Sequence, residues 1–413
     1  MLHVEKFSHG HVGGKMISNK MRRIATSAIA VVLMGTMTAV VGAAGVSSAA
    51  KTKTISLSAI NSSYSAMKLL KPITAKGKGG VAVILPDEVS SNRWVDFDAP
   101  DIKKALLLAG VKSSQITIEN SQGSDATAIT MAQSAILKKD KVIIYCALDS
   151  ATGATIEKDA HAAGVKVIDY DRLVLGGADR YYVSFNNVAV GTLLGNGLVA
   201  CIKAWNVTSP KVIVGVGSPT DNNATLFADG YDAVLTPLFS AGTYKLESTL
   251  AGTWTPTVAD TEFQQAFTAN PTSNALLSPN DENAAPIITY LQTQGVKPQT
   301  FPITGQDATA TGLQNIIAGY QCGTVYKPVP LEAQAAVALA MYARAGIKVP
   351  SSLDNGKTLD STTGKEVPSA LLVPSWVTAS TIEKTVVFDK FVPASQICTT
   401  AALQADCTTY GIH

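Results

Sequence analysis

Histidine is scarce in this chain of 413 residues: three of its five lie at positions 3, 9 and 11, leaving His161 and the terminal His413. A Ser-His-Asp or Cys-His machine would have to run on His161 alone, and nothing around it resembles one. Several signatures are missing: a Gly-x-Ser-x-Gly elbow, a His-Glu-x-x-His pair, paired Cys-x-x-Cys and an EF-hand loop. The run Gly77 to Gly80 is not followed by Gly-Lys-Ser/Thr, and Gly215-Val216-Gly217-Ser218-Pro219 lacks the third glycine of a dinucleotide turn. No metal, cofactor or catalytic residue is therefore expected. Charge is sparse at 15% against 46% hydrophobic residues, a balance that fits a globular chain. Beyond residue 50 there remain 28 basic and 30 acidic side chains and no basic tract. Nucleic-acid binding loses its electrostatic footprint.

The N-terminus reads as a targeting signal. Lys20, Arg22 and Arg23 precede an apolar run, Ile24 to Val46, and Ser47-Ser48-Ala49-Ala50 supplies small residues for cleavage. The alternative is an uncleaved anchor, because that run approaches spanning length. No other segment reads as a span. With no cysteine in residues 1–50 there is no lipobox, so the expectation is Sec-type export to the periplasm or cell surface.

Five cysteines fit an exported protein. Cys398 and Cys407 flank eight residues of a polar tail and are expected to form a local disulfide. Cys146 and Cys201 read as buried small hydrophobes and Cys322 as a free thiol.

Short apolar runs alternate with helical stretches from Gly79 onward. Examples are Val81–Leu85, Val142–Cys146, Val165–Ile168, Val212–Val216 and Ala275–Leu277. Such alternation predicts an α/β chain of parallel sheets with right-handed crossovers, and the number of strands predicts two lobes. Residues 51–79 read as a linker with an early helix, and residues 352–368 as a polar loop or hinge segment. A strand is expected at Pro302–Thr304.

Six of the apolar runs end in polar clusters: Asn92-Arg93-Trp94, Asp169-Tyr170-Asp171-Arg172, Asp221-Asn222-Asn223, Asn280-Asp281, Gln306-Asp307 and Tyr326-Lys327. Ends of parallel strands collect along one sheet edge, where ligands bind. Carboxylates accept hydroxyls, amides do both, Arg and Lys donate, and an indole covers an apolar face. This chemistry suits a small polyhydroxylated molecule. Trp94 and Trp254 are the candidate indoles; Trp205 and Trp376 read as packing residues. Asn222, Asn223, Asn280 and Asp307 have a second reading as helix caps. The carboxylate pairs Asp169/Asp171 and Asp281/Glu282 leave a glycosidase formally open, but the neighbouring Arg and Lys favour ionised acids, which are poor proton donors.

In this order the clusters resemble the periplasmic sugar-binding proteins of ABC transporters, in particular their xylose- and multi-sugar-binding branch. The resemblance also rests on Phe185-Asn186-Asn187-Val188-Ala189-Val190-Gly191, Ser278-Pro279-Asn280-Asp281, Thr304-Gly305-Gln306-Asp307-Ala308 and Val367-Pro368-Ser369, and spans roughly residues 80–378. It implies a type I periplasmic-binding-protein fold: two doubly wound parallel-sheet lobes joined by a three-segment hinge. Residues 80–183 plus 324–365 would form the N-terminal lobe, and 184–323 plus 366–413 the C-terminal lobe and tail. Sugar contacts carry over to Arg93, Trp94, Asp171, Arg172, Asn223, Trp254, Asn280, Asp307 and Lys327. The implied partners are a monosaccharide and an ABC transporter permease, and the protein itself is expected to be a monomer. Glu282, where a small residue is usual, marks a different hydroxyl pattern at Asn280–Glu282. A sugar sensor for a membrane receptor is the alternative, with a secreted glycosidase behind it.

Overall fold

A computed structural model describes residues 54–178 and 180–413; the expected leader, residues 1–50, lies outside them. Strands β1 (Val81–Leu85), β2 (Ile116–Asn120), β3 (Val142–Tyr145), β4 (Lys166–Tyr170) and β5 (Arg180–Phe185) are parallel, in the order β5-β4-β3-β1-β2. β1 and β3 are buried along their whole length, which is why they read as unbroken apolar runs rather than alternating ones. Val81, Val83 and Leu85 face helices Ala99–Leu108 and Val329–Ala345. Ala82 and Ile84 face helices Asp125–Leu137 and Ser150–Ala162.

A second parallel sheet holds β6 (Lys211–Val214), β7 (Lys245–Thr249) and β8 (Ala275–Leu277), in the order β7-β6-β8. Single bridges Leu276–Ile303 and Gln306–Val325 lead on to β9 (Thr324–Tyr326). Where a strand was expected at Pro302–Thr304, only that one bridge forms. Helices Asn187–Ala204 and Asn222–Ser240 pack on one face, Pro256–Ala269 and Asp281–Thr293 on the other. Helix Asn187–Ala204 is long and apolar enough to cross a membrane, contrary to the expectation that no second such segment exists. Half of it is buried, against helix Asn222–Ser240, with Gly191 pressed onto the backbone of Phe227.

The segment expected as a polar loop is a hairpin. β10 (Gly356–Asp360) pairs antiparallel with β11 (Lys365–Leu372), and β11 runs parallel beside β5. β10 is an edge strand that turns Lys357 to solvent and Thr358 and the buried, Arg180-paired Asp360 inward, so it reads as a loop. β12 (Ser375–Val377) then pairs with β9. The chain passes between the two sheets after β5, after β9 and after β11. The N-terminal linker expectation is also corrected: Ile55, Ile60, Tyr64, Met67 and Leu70 are buried in the core around β1 and helix Val329–Ala345. These apolar residues are spaced among Ser and Lys, which hid them.

Residues beyond Val377 wrap helices Glu383–Val387, Ala394–Ile397 and Ala401–Tyr410 around a further core with Leu313, Ile316 and Tyr326. Cys398 and Cys407 are bridged there. A second bridge joins Cys201 to Cys322, so these two are neither a plain hydrophobe nor a free thiol. At a sequence separation of 121, no local spacing pointed to the pair. Cys146 is buried and free.

Candidate functional site

The chain leaves β1 through Asp87, whose carboxylate accepts the Val89 and Ser90 amides and thereby folds the loop back on itself. Arg93 and Trp94 follow at the mouth of a single wide helical turn, Trp94–Asp98. Four of the five N–H donors of the Arg93 guanidinium are committed to carboxylates. Its Nε and Nη2 reach Asp98 at 3.0 and 2.8 Å, Nη1 reaches Asp171 Oδ2 at 2.9 Å, and Nη2 also reaches Glu332 at 2.8 Å. Both Arg93 and Arg172 lie over the Trp94 ring, 4.5 and 5.4 Å from its centroid. The Trp94 Nε1–H donates to Ser90 Oγ at 3.1 Å. The indole is thus held by its edge and by cations on a face.

Asp171 and Arg172 leave the end of β4. Asp171 has a positive φ of 61°, and Asp307, after the bridge at Gln306, one of 88°. Non-glycine residues in this region are uncommon and collect at functional sites. From the second sheet and the neighbouring β9 come four further groups. Asp221 caps helix Asn222–Ser240 by accepting the Asn223 amide at 2.9 Å, and also takes the Trp254 Nε1–H at 3.0 Å and Arg172 Nε at 3.2 Å. Trp254 packs edge-on to Phe227 and directly against Gly217, where an added Cβ would sit 2.3 Å from the indole. Asn280 caps helix Asp281–Thr293 through Asn283 N, while its Nδ2 points to Ser90 O at 3.3 Å. Lys327, just past β9, places Nζ 3.1 Å from Asp307 Oδ1 and 3.6 Å from Asp171 Oδ2.

All nine expected residues line one cavity, together with Ser90, Ser91, Asp221, Phe227 and Gln306. Their side chains close on one another, and the open space left between them falls far below the roughly 300–1,000 Å³ of ligand sites. A water's centre ranges over only about 30 Å³ of it, because the side chains converge from both sheets and little of the space lies beyond their contact shell. A larger groove of about 760 Å³ lies between the β10–β11 hairpin and helix Asn187–Ala204. Its walls are mostly apolar, with Lys357 the one charged side chain among them, so the smaller cavity holds the chemistry.

Burial alone would raise the Asp171 carboxyl, but Lys327, Arg93 and Arg172 hold it at about 2. Burial works against the charge on Lys327, and Asp171 and Asp307 reverse it, so its pKa is raised. For Asp221 burial outweighs Arg172, and the carboxyl is pushed up. Buried Asp307 Oδ1 and Gln306 Oε1 have no aligned hydrogen-bond donor, although Lys327 Nζ stands close to the former. Unsatisfied buried acceptors of this kind are costly unless something donates to them.

Some expectations need correction. Asp221, not an asparagine, caps the helix after β6, and Thr309 rather than Asp307 caps the helix that follows Asp307. Asn223 spends its amide on the protein, donating to Asp171 O at 2.9 Å and accepting from Tyr182 and Asn187. Glu282 does not line the cavity; it accepts the Ser91 hydroxyl at 2.6 Å across the two sheets. The carboxylate pairs do not face one bond. Asp169 turns away to Arg180, and Asp281 is buried behind, held by Thr309 N and Gln321 Nε2. Sequence reasoning passed over Asp221, Gln306 and Glu332. The first two sit inside the polar clusters already noted, but Glu332 lies on a helix 239 residues from its Arg93 partner.

Residues 81–348 match the family model described as a periplasmic binding protein domain. The chain is 33% identical to the multiple sugar-binding periplasmic receptor ChvE of Rhizobium radiobacter, across 79% of this chain and 94% of the receptor. It is 31% identical to the D-xylose-binding periplasmic protein of Escherichia coli, across 80% and 96%. A carbohydrate transporter solute-binding protein of Chloroflexus aurantiacus, solved with D-glucose, superposes with a TM-score of 0.68 at 27% identity, covering 76% of this chain and 97% of that one. With a family match over most of its length, two parallel α/β sheets and a polar cavity between them, the chain belongs to the periplasmic binding proteins, which are receptors and not enzymes.

Proposed function

We propose that this protein is the extracytoplasmic sugar-binding subunit of an ABC importer. It takes one monosaccharide, of the aldopentose class represented by xylose, between two lobes. The observation that carries this reading is the convergence of nine residues, from both sheets, on a single small cavity. Three cations there each stand beside a carboxylate: Arg93 with Asp171, Arg172 with Asp221, and Lys327 with Asp307. Ion-paired carboxylates and guanidinium groups offer a neutral polyol acceptors and donors, without a net charge that selects a phosphate. Two indoles supply apolar faces for its C–H surfaces. The D-xylose-binding relative supports the choice of pentose.

In this reading one lobe is built on β1–β5 with the β10–β11 hairpin, and the other on β6–β9 with β12 and the tail, which moves 324–326 into the second lobe and 366–372 into the first relative to the bounds expected from the sequence. The passages after β5, β9 and β11 form the hinge. Sugar bridging the cleft stabilises the closed form, which a permease then recognises. Export by a Sec-type signal accords with the two disulfides and with the periplasmic location named for the relatives. A thermal-shift screen against pentoses, hexoses and their alditols tests the reading. D-xylose raises the melting temperature most; no shift with any monosaccharide, or turnover of an aryl-glycoside, overturns it.

A further inference from the structure

The C-terminal tail touches the cavity's own framework from outside. Phe391 is buried in the tail core with Ile382, Val386 and Ile397, and stacks on Phe97 with ring centroids 4.2 Å apart. Phe97 belongs to the short turn Trp94–Asp98, which supplies Trp94 to the cavity and Asp98 to Arg93. That turn follows β1 in the first sheet, whereas the tail core is built on Leu313, Ile316, Tyr326 and Val377, beside the second. The Phe97–Phe391 stack therefore spans the two sheets without touching the cavity. The tail end of this contact is fixed. Tyr326 lies against Phe391 and donates its hydroxyl to Asp389 at 3.2 Å, Gln314 Nε2 donates to Gln396 O at 2.9 Å, and the Cys398–Cys407 bridge closes the following helix. Within the turn, Trp94 and Asp98 are buried and held by Ser90, Arg93 and Tyr170, whereas Val95 and Asp96 are exposed and Phe97 packs on the tail core.

We propose that the tail is a clasp between the two sheets, in which Phe391 holds Phe97 and thereby positions Arg93 and Trp94. The clasp sets how fast a bound ligand leaves. Its effect on ligand release rests on the sugar-binding reading above, but its effect on the turn does not. Phe97 is half-buried at the edge of the tail core, so Phe97→Ala opens that core only where Phe391 faces the turn, and Phe391→Leu keeps the core apolar.

Two measurements on the full mature chain test the clasp. Hydrogen–deuterium exchange of the ligand-free protein reads the Asn92–Asp98 amides. Stopped-flow tryptophan fluorescence reads D-xylose association and release. In Phe391→Leu the Asn92–Asp98 amides exchange several-fold faster while β1 keeps its protection. In both single variants release accelerates several-fold with association changed less than twofold, and the double variant is no faster than the faster single one. Unchanged exchange in Phe391→Leu together with wild-type release in both variants overturns the clasp. If the wild-type chain binds no monosaccharide, the functional reading fails, and the exchange measurement still decides the clasp.

Discussion

Asp307 is the residue on which the ligand reading presses hardest. Its backbone is held at positive φ, its Oδ1 is buried without an aligned donor, and it does not cap the helix that follows. Asp307→Asn keeps the shape and removes a charged acceptor, for which a hydrogen bond contributes about 1.5–3 kcal/mol. Sugar affinity measured by calorimetry falls on the order of 10–100-fold, with the melting temperature of the free protein little changed. Glu282 makes a different prediction. Burial and the charge of Asp307 push its carboxyl well above the usual range, with Asp281 adding to this and the Ser91 hydroxyl opposing it. The contact that buries it joins the two sheets, so opening frees the carboxyl to return to its ordinary value. A pKa raised in the closed form means that closure takes up a proton. Affinity is then highest below the ordinary carboxylate range and declines as pH rises through the closed-state value, by up to about tenfold per pH unit. Glu282→Gln flattens that decline; a wild-type profile already flat from acid to neutral pH contradicts it. At this scale the sequence revealed the residue types at the strand ends, because polar clusters after apolar runs stand out. It concealed which atoms face the ligand. Asn223 and Arg93 lie in the right place, yet they spend their hydrogen bonds largely on Asp171, Asp98 and Glu332, partners that only the fold brings near.

Among the elements, the buried parallel strands were legible and the edge of the first sheet was not. Val81–Leu85 and Val142–Tyr145 are covered on both faces and so are apolar throughout. β5 escaped notice because it opens on Arg180, which is buried against Asp169 and Asp360, and β10 because it sends polar Thr358 and Asp360 inward. The loop before helix Asn222–Ser240 makes a further prediction. Gly217 lies against the Trp254 indole, with no room for a methyl group. Gly217→Ala displaces Trp254 from Asp221 and weakens sugar binding on the order of tenfold, read by calorimetry, while the free protein keeps its far-ultraviolet spectrum. A binding constant unchanged in this variant removes Trp254 from the ligand's contacts. The Cys201–Cys322 bridge ties helix Asn187–Ala204 to the approach to β9 over a separation of 121 residues. Replacing both by Ala lowers stability by about 2–5 kcal/mol in denaturant unfolding. The bridge escaped sequence reading because only tertiary packing brings the helix beside the approach to β9.

The whole molecule is a set of cross-links between two sheets around a small polar space. Arg172 meets Asp221, Asn223 meets Asp171, Ser91 meets Glu282, Asn280 meets Ser90, and outside the cavity Phe97 meets Phe391. Alternating strands and helices made the architecture readable in outline. The hairpin that returns to the first sheet was not readable, because strand order is set by long-range pairing and not by local pattern. The central claim is that one monosaccharide bridges these cross-links and is held from both sides. The measurement that tests it most directly is isothermal titration of the mature chain with D-xylose, repeated with Arg172 and Asp307 both replaced by Ala. The account predicts saturation at one sugar per chain in the parent and no saturable heat in the double variant, which still unfolds cooperatively. Saturation of equal affinity in the double variant, or none with any aldopentose or aldohexose in the parent, would contradict it.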